Sequence, residues 1–177
     1  MLAVGLSDIH KAHLLYALSE QLLSPLLIIC DEETAARRMC DDVNAMHGKE
    51  TPAALLYPAR EYNFRGTASA SREYEQQRIG VLSKLLRQEC KLCFASAEAL
   101  CQHTIPPAQL QKRTFSIEEN ESYSLEELTA KLLQAGYARR PQVDGIAQFA
   151  IHGGILDVYP PDAPAPVRIE FWGDDID

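Results

Sequence analysis

Five stretches of this sequence combine residue types that could do chemistry, and each demands a particular geometry. Gly5-Leu-Ser-Asp-Ile-His10-Lys11-Ala12 follows a short apolar run, Leu2-Ala3-Val4, and opens a helical pattern, the place for a phosphate-binding loop. That loop needs Gly, four residues, then Gly-Lys-Ser/Thr. The second glycine lets backbone amides wrap the phosphate, the lysine neutralises it and the hydroxyl holds Mg²⁺. Gly5 and Lys11 keep the register, but His10 stands for the second glycine and Ala12 for the hydroxyl. A Cβ sits where the loop must curl and the metal ligand is missing, so nucleotide hydrolysis is not expected. Asp31-Glu32, after the apolar run Leu26–Cys30, imitates a metal-binding strand end. Acidic residues at a helix start are accounted for by the helix dipole alone.

Cys90-Lys-Leu-Cys93 is a CxxC, with Cys101 and His103 nearby. A structural zinc needs four ligands, and there is no second pair. Cys93 falls inside an apolar strand pattern, which suits a buried small hydrophobe. Tyr57-Pro-Ala-Arg60-Glu-Tyr62-Asn-Phe64-Arg65-Gly66 interleaves aromatics and arginines, which can stack on bases. A surface loop pinned by its aromatics explains the same residues. In Val167-Arg168-Ile169-Glu170-Phe171-Trp172, period two sends Val167, Ile169 and Phe171 to one face and Arg168, Glu170 and Trp172 to the other. Arg and Trp on a solvent face are what a binding surface presents. Packing of Trp172 under a neighbouring loop, beside a weak Arg168–Glu170 pair, fits the pattern equally well.

The elements that must hold these residues change character along the chain. Up to about residue 113, helices (8–23, 32–47 and 71–88) alternate with apolar strands (Leu26–Cys30, Ala53–Tyr57 and Leu92–Ala95). Asp8 is the expected N-cap of the first helix, and Gly48 ends the second. Strand alternating with helix implies parallel βαβ units with helices on both faces, and unbroken apolar strands imply cover on both sides. After Pro106-Pro107 the pattern differs. Thr114–Ile117 looks like a strand, and Ser124-Leu-Glu-Glu127 is a capping box opening a helix that closes at Gly136. Short strands follow at Gln148–Ile151, Ile155–Tyr159 and Val167–Trp172, an antiparallel meander. The chain then enters what looks like another strand at Gly173–Asp177, which suggests a piece of something longer.

Composition agrees with two units. The 177 residues carry a net charge of −8. Residues 1–113 hold 13 acidic and 13 basic groups, and residues 114–177 hold 12 acidic and 4 basic, so all the acidity lies in the second unit. That balance argues against duplex binding, which shows a basic footprint. No apolar run approaches the length of a membrane span, no signal peptide is visible, and five scattered cysteines suit a reduced cytoplasmic protein.

Several motifs then converge on one family. Phe149-Ala-Ile-His-Gly-Gly-Ile-Leu-Asp-Val-Tyr-Pro-Pro161 and Val167-Arg-Ile-Glu-Phe-Trp-Gly-Asp-Asp-Ile-Asp177 resemble the pattern of the bacterial transcription-repair coupling factors (Mfd). Leu132-Leu-Gln-Ala-Gly-Tyr137, Gln142-Val143, Ser96-Ala-Glu-Ala-Leu100 and the defective loop Gly5–Ala12 extend the resemblance along the whole chain. The excision-repair protein UvrB carries a related module. The resemblance implies an α/β chain with two parts. Residues 1–113 would be a degenerate RecA-like parallel-sheet domain that has lost its nucleotide site. Residues 114–177 would be a small α+β domain that binds UvrA. UvrB has a long aromatic hairpin where this sequence has only Arg60–Gly66, too short to separate strands. The family's UvrA-contacting positions fall on His152, Arg168 and Trp172. His152 replaces an arginine there, which removes a permanent charge and a bidentate fork.

The resemblance thus implies a non-catalytic recruitment module with no cofactor or metal of its own. ATP and Mg²⁺ would belong to the motor of a full-length protein, an ATP-dependent translocase that displaces stalled RNA polymerase. RNA polymerase and double-stranded DNA would be met only through domains outside this chain. The rival expectations are a nucleotide-binding helicase-like ATPase domain, or a single-stranded-DNA-binding module using the Arg60–Arg65 loop. Titration with a fluorescent (mant) ATP analogue in Mg²⁺ tests the loop. No saturable micromolar binding is expected, and saturation there would restore a nucleotide site.

Overall fold

The computed structural model describes residues 4–60, 73–119 and 121–176. The chain forms two compact units, Met1–Thr104 and Ile105–Asp177. The division lies ahead of the boundary expected at 113, because the break comes at Pro106-Pro107. Pro107 starts a helix, having no N–H to leave unsatisfied at its first position.

The first unit runs α1 (Asp8–Gln21), β1 (Leu26–Cys30), α2 (Glu33–His47), β2 (Ala54–Tyr57), α3 (Glu73–Leu86), β3 (Leu92–Ser96) and α4 (Ala97–Cys101). Its three described strands are all parallel, in the order β1-β3-β2. Helices α1 and α2 cover one face, where Ala12, Ala36, Cys40 and Val43 meet Leu92 and Phe94. Val81, Leu82 and Leu85 of α3 pack on the other, against Tyr57, Cys93 and Ala95. Most of the apolar run Leu2–Val4, read as a first strand before the phosphate-loop position, falls outside the described residues. Val4 is irregular and exposed.

Two details depart from the sequence reading, and a third adds to it. Ser7, not Asp8, occupies the N-cap of α1. Asp8 is already helical and directs its carboxylate to Lys11 Nζ at 3.0 Å. Second, β1 is not covered on both sides. Leu26, Ile28 and Cys30 face the helices, but Leu27 and Ile29 remain 56% and 61% exposed, since no described element lies over them. Third, the outer edge of β2 is partly occupied by a side chain. Asn44 of α2 donates to Ala54 O at 2.9 Å and accepts from Ala54 N at 3.0 Å, as a neighbouring strand would.

The carboxyl ends of β2 and β3 are tied by Arg78, which is 6% exposed. Its Nη1 donates to Pro58 O (2.7 Å), Ala99 O (3.2 Å) and Gln102 Oε1 (3.2 Å), and its Nη2 to Ala99 O (3.2 Å). The guanidinium also lies 4.1 Å from the centre of the Tyr57 ring.

The second unit runs α5 (Pro107–Arg113), α6 (Leu125–Ala135), β4 (Ala138–Arg139), β5 (Gln148–His152), β6 (Ile155–Val158), β7 (Val167–Trp172) and β8 (Asp175–Ile176). The N-cap half of the capping box is made: Ser124 Oγ accepts from Glu127 N–H, and Gly136 closes α6 in the left-handed region at φ 96°. The sheet order is β4-β5-β6-β7-β8. The meander β5 to β8 is antiparallel as expected, but β4 joins β5 in parallel, so the sheet is mixed. Thr114–Ile117 is not a strand. Phe115 and Ile117 alternate because they pack against the core, without a ladder partner. That core joins Leu128 and Leu132 of α6 to Phe149, Leu156, Val158 and Phe171.

One glycine locks β6 to β7. Phe171 N–H donates to Gly154 O at 2.7 Å, and a Cβ at Gly154 would lie 2.8 Å from Phe171 O. Gly153 beside it turns the chain at φ 61°. Gly154→Ala forces backbone apart rather than a flexible side chain. It should destabilise the second unit by about 2–3 kcal/mol in urea unfolding.

Candidate partner-binding face

The register of the meander decides what its outer face presents. Phe149, Ile151, Leu156, Ile169 and Phe171 point to α6 and the core. The pairs between them, Ala150↔Asp157↔Arg168 and His152↔Ile155↔Glu170, therefore form cross-strand rows on the opposite face. Trp172 stands one step further, paired with Asp175. The structure thus places His152, Arg168 and Trp172 on one face of one sheet. Trp172 is 74% exposed, with no loop over it, which decides against the packed alternative. His152 and Arg168 are exposed as well.

Arg168 does not pair with Glu170. Its Nε donates to Asp157 Oδ1 at 2.7 Å and its Nη2 to Asp157 Oδ2 at 3.0 Å, a two-pronged bond across the strands. The Arg168 hydrogen bonds hold the Asp157 carboxyl below the usual carboxylate range, against an opposing effect of burial and with smaller help from the charges of Arg168 and His152. Asp157 in turn raises the guanidinium above its ordinary value. Asp157 escaped the sequence reading. In Ile155-Leu156-Asp157-Val158 alternation shows that it faces outward, but only the hairpin register sets it opposite Arg168.

The other candidate stretches take bland places. The loop before α1 is short, because His10, Lys11 and Ala12 already lie in the helix. His10 Nδ1 bonds the Ser7 hydroxyl at 3.0 Å, Lys11 is engaged by Asp8, and Ala12 is fully buried. A cleft of about 710 Å³ lies between α1, the end of β1 and α2, with Asp8, Lys11, Asp31, Thr34 and Arg38 on its polar wall. Its lysine pairs with Asp8 on the same helix rather than standing alone in the cleft. Cys90 and Cys93 are buried. Burial raises the Cys90 thiol and pushes those of Cys40 and Cys93 up to about 12, which disfavours the thiolate that metals and redox exchange require. Among the described residues, no group of three or more His, Cys, Asp and Glu is placed to hold a metal ion. Of the Tyr57–Gly66 stretch, Arg60 reaches Glu75 at 3.6 Å, and residues 61–66 lie outside the described residues. No helix among the described residues is long and apolar enough to cross a membrane.

Residues 115–177 match the UvrB interaction domain family, so the second unit with its exposed meander is a domain of that class. The whole chain is similar to the transcription-repair-coupling factor of Bacillus subtilis, 29% identical over 99% of this chain and 15% of the relative. It is 27% identical to that of Myxococcus xanthus, over 98% of this chain and 15% of the relative. It is 24% identical to the UvrABC system protein B of Halobacterium salinarum, over 98% of this chain and 27% of the relative. Fold and similarity together define a UvrB-homology module. Within that class the chain is similar to the transcription-repair-coupling factors. It spans about 15% of the length of those factors.

The sign of the Asp157 shift gives a pH test. A depressed carboxyl stabilises above its unfolded value of 3.8 and loses that contribution as pH falls through its lower folded value. In an NMR titration the Asp157 carboxyl should titrate below 3.8, and Arg168→Gln should return it to the ordinary range.

Proposed function

We propose that this chain is the non-catalytic UvrA-recruiting part of a cytoplasmic transcription-repair coupling factor. One observation carries the reading: the three positions that the family resemblance assigns to UvrA contact fall on one exposed sheet face, around the Arg168 guanidinium. An arginine fork and a large aromatic are the residue types that carry most interface energy. The UvrB interaction domain match covers this same unit. The first unit serves as a scaffold, its loop at Gly5–Ala12 having neither a free lysine nor a hydroxyl for Mg²⁺. ATP hydrolysis, DNA translocation and RNA polymerase contact belong to the rest of a longer protein of this family.

Arg168→Glu tests the face. Calorimetry with UvrA should show binding abolished, since reversing the charge also repels any acidic group that meets the fork. The thermal midpoint should stay within a few degrees, because an exposed ion pair is worth on the order of 0–1 kcal/mol. Undiminished UvrA affinity would refute the assignment.

A further inference from the structure

Within the docking face, one charged group is seated while its neighbour is free. The Asp157 side chain is 19% exposed, but that of Arg168, bonded to it, is 62% exposed. We propose that Asp157 is a positioning residue: it occupies one edge of the Arg168 guanidinium and presents the tip end-on to a carboxylate of the partner. This rests on the docking role given above to Arg168.

The donor count supports it. A guanidinium has five N–H donors in a fixed plane. Asp157 takes the Nε donor and one from Nη2. Three remain, two on Nη1 and one on Nη2. The Nη1–Nη2 tip is therefore still a complete two-pronged fork, and it lies on the exposed end of the side chain. A carboxylate is the acceptor that matches such a fork bidentately. A lysine could not serve both Asp157 and a partner in this way, since its ammonium is a point charge without a plane.

The strands fix the orientation. Asp157 and Arg168 are direct partners in the β6–β7 ladder, three pairs along from the Gly154–Phe171 contact that sets the register. A free arginine would have to give up its rotamers when the partner arrives. Here that ordering is complete before binding, which is the general advantage of preorganisation. The surroundings keep both groups charged. Glu170 on the same strand favours the Arg168 cation, and His152 lies within electrostatic reach of Asp157.

The rival role for Asp157 is a competitor that neutralises Arg168 and must be displaced, and the two roles predict opposite signs. Calorimetry of the chain with UvrA, using Asp157→Asn, Arg168→Gln and the double variant, separates them. Positioning predicts that Asp157→Asn weakens binding by about three- to tenfold, the cost of ordering one long side chain. It also predicts that Asp157→Asn adds nothing in the Arg168→Gln background, where a merely structural loss would persist. The Arg168 Nε–H signal in ¹⁵N NMR of the free chain should be protected in the parent and exchange rapidly in Asp157→Asn. Equal or tighter binding by Asp157→Asn overturns the proposal, as does an undiminished effect in the double variant. If Arg168→Gln itself leaves UvrA affinity unchanged, the docking face fails. If it weakens binding but Asp157→Asn does not, only the positioning role fails.

Discussion

The close approach of Gly154 to Phe171 is the constraint on which the outer face depends. With 2.7 Å between the Phe171 nitrogen and the Gly154 oxygen, β6 and β7 have one register. A slip of β7 by one residue would turn Ile169 and Phe171 outward and drive Arg168 and Glu170 into the core. The same contact therefore fixes the hydrophobic core and composes the face. Only a residue without a Cβ can occupy position 154, which links the Gly-Gly pair in the sequence directly to the pairing of Asp157 with Arg168.

The first unit shows how polar groups can hold a scaffold together without forming a site. Arg78 is a buried cation whose acceptors are carbonyls and an amide oxygen, supplemented by the Tyr57 ring. Charged hydrogen bonds contribute roughly 1.5–3 kcal/mol each, and a desolvated cation–π contact about 2 kcal/mol. Burying the charge costs several kcal/mol. What Arg78 fixes is geometry, joining the ends of β2 and β3 to α4. Lys11 is likewise occupied by Asp8.

Strong local signals made much of this legible from sequence. The N-cap at Ser124, the left-handed glycines at 48 and 136, and the alternation of Val167–Trp172 each found their structural counterpart. What sequence could not supply was the relation between strands. Leu26–Cys30 reads as doubly buried, yet it lies at the edge of the described sheet, and two of its five side chains face solvent. Phe115 and Ile117 alternate like a strand but have no neighbour to pair with. Ala138–Arg139 is too short to carry a period at all. For the face, the residue types at 168 and 172 were visible, whereas the cross-strand acceptor at 157 depended on register. The family resemblance named His152 as a third member; alternation alone puts it in no relation to Arg168.

The two edges of the parallel sheet are unequal. Asn44 fills the first outward-facing donor and acceptor of β2, at Ala54, so an added strand cannot pair there. The outer edge of β1 has no partner among the described residues, and Leu27 and Ile29 lie bare beside it. Unpaired edges with apolar faces are templates for strand addition. The sheet is consequently polar in its capacity to grow. Extension from the β1 side continues the ladder and covers apolar surface in one event, while the β2 side is stoppered by an amide.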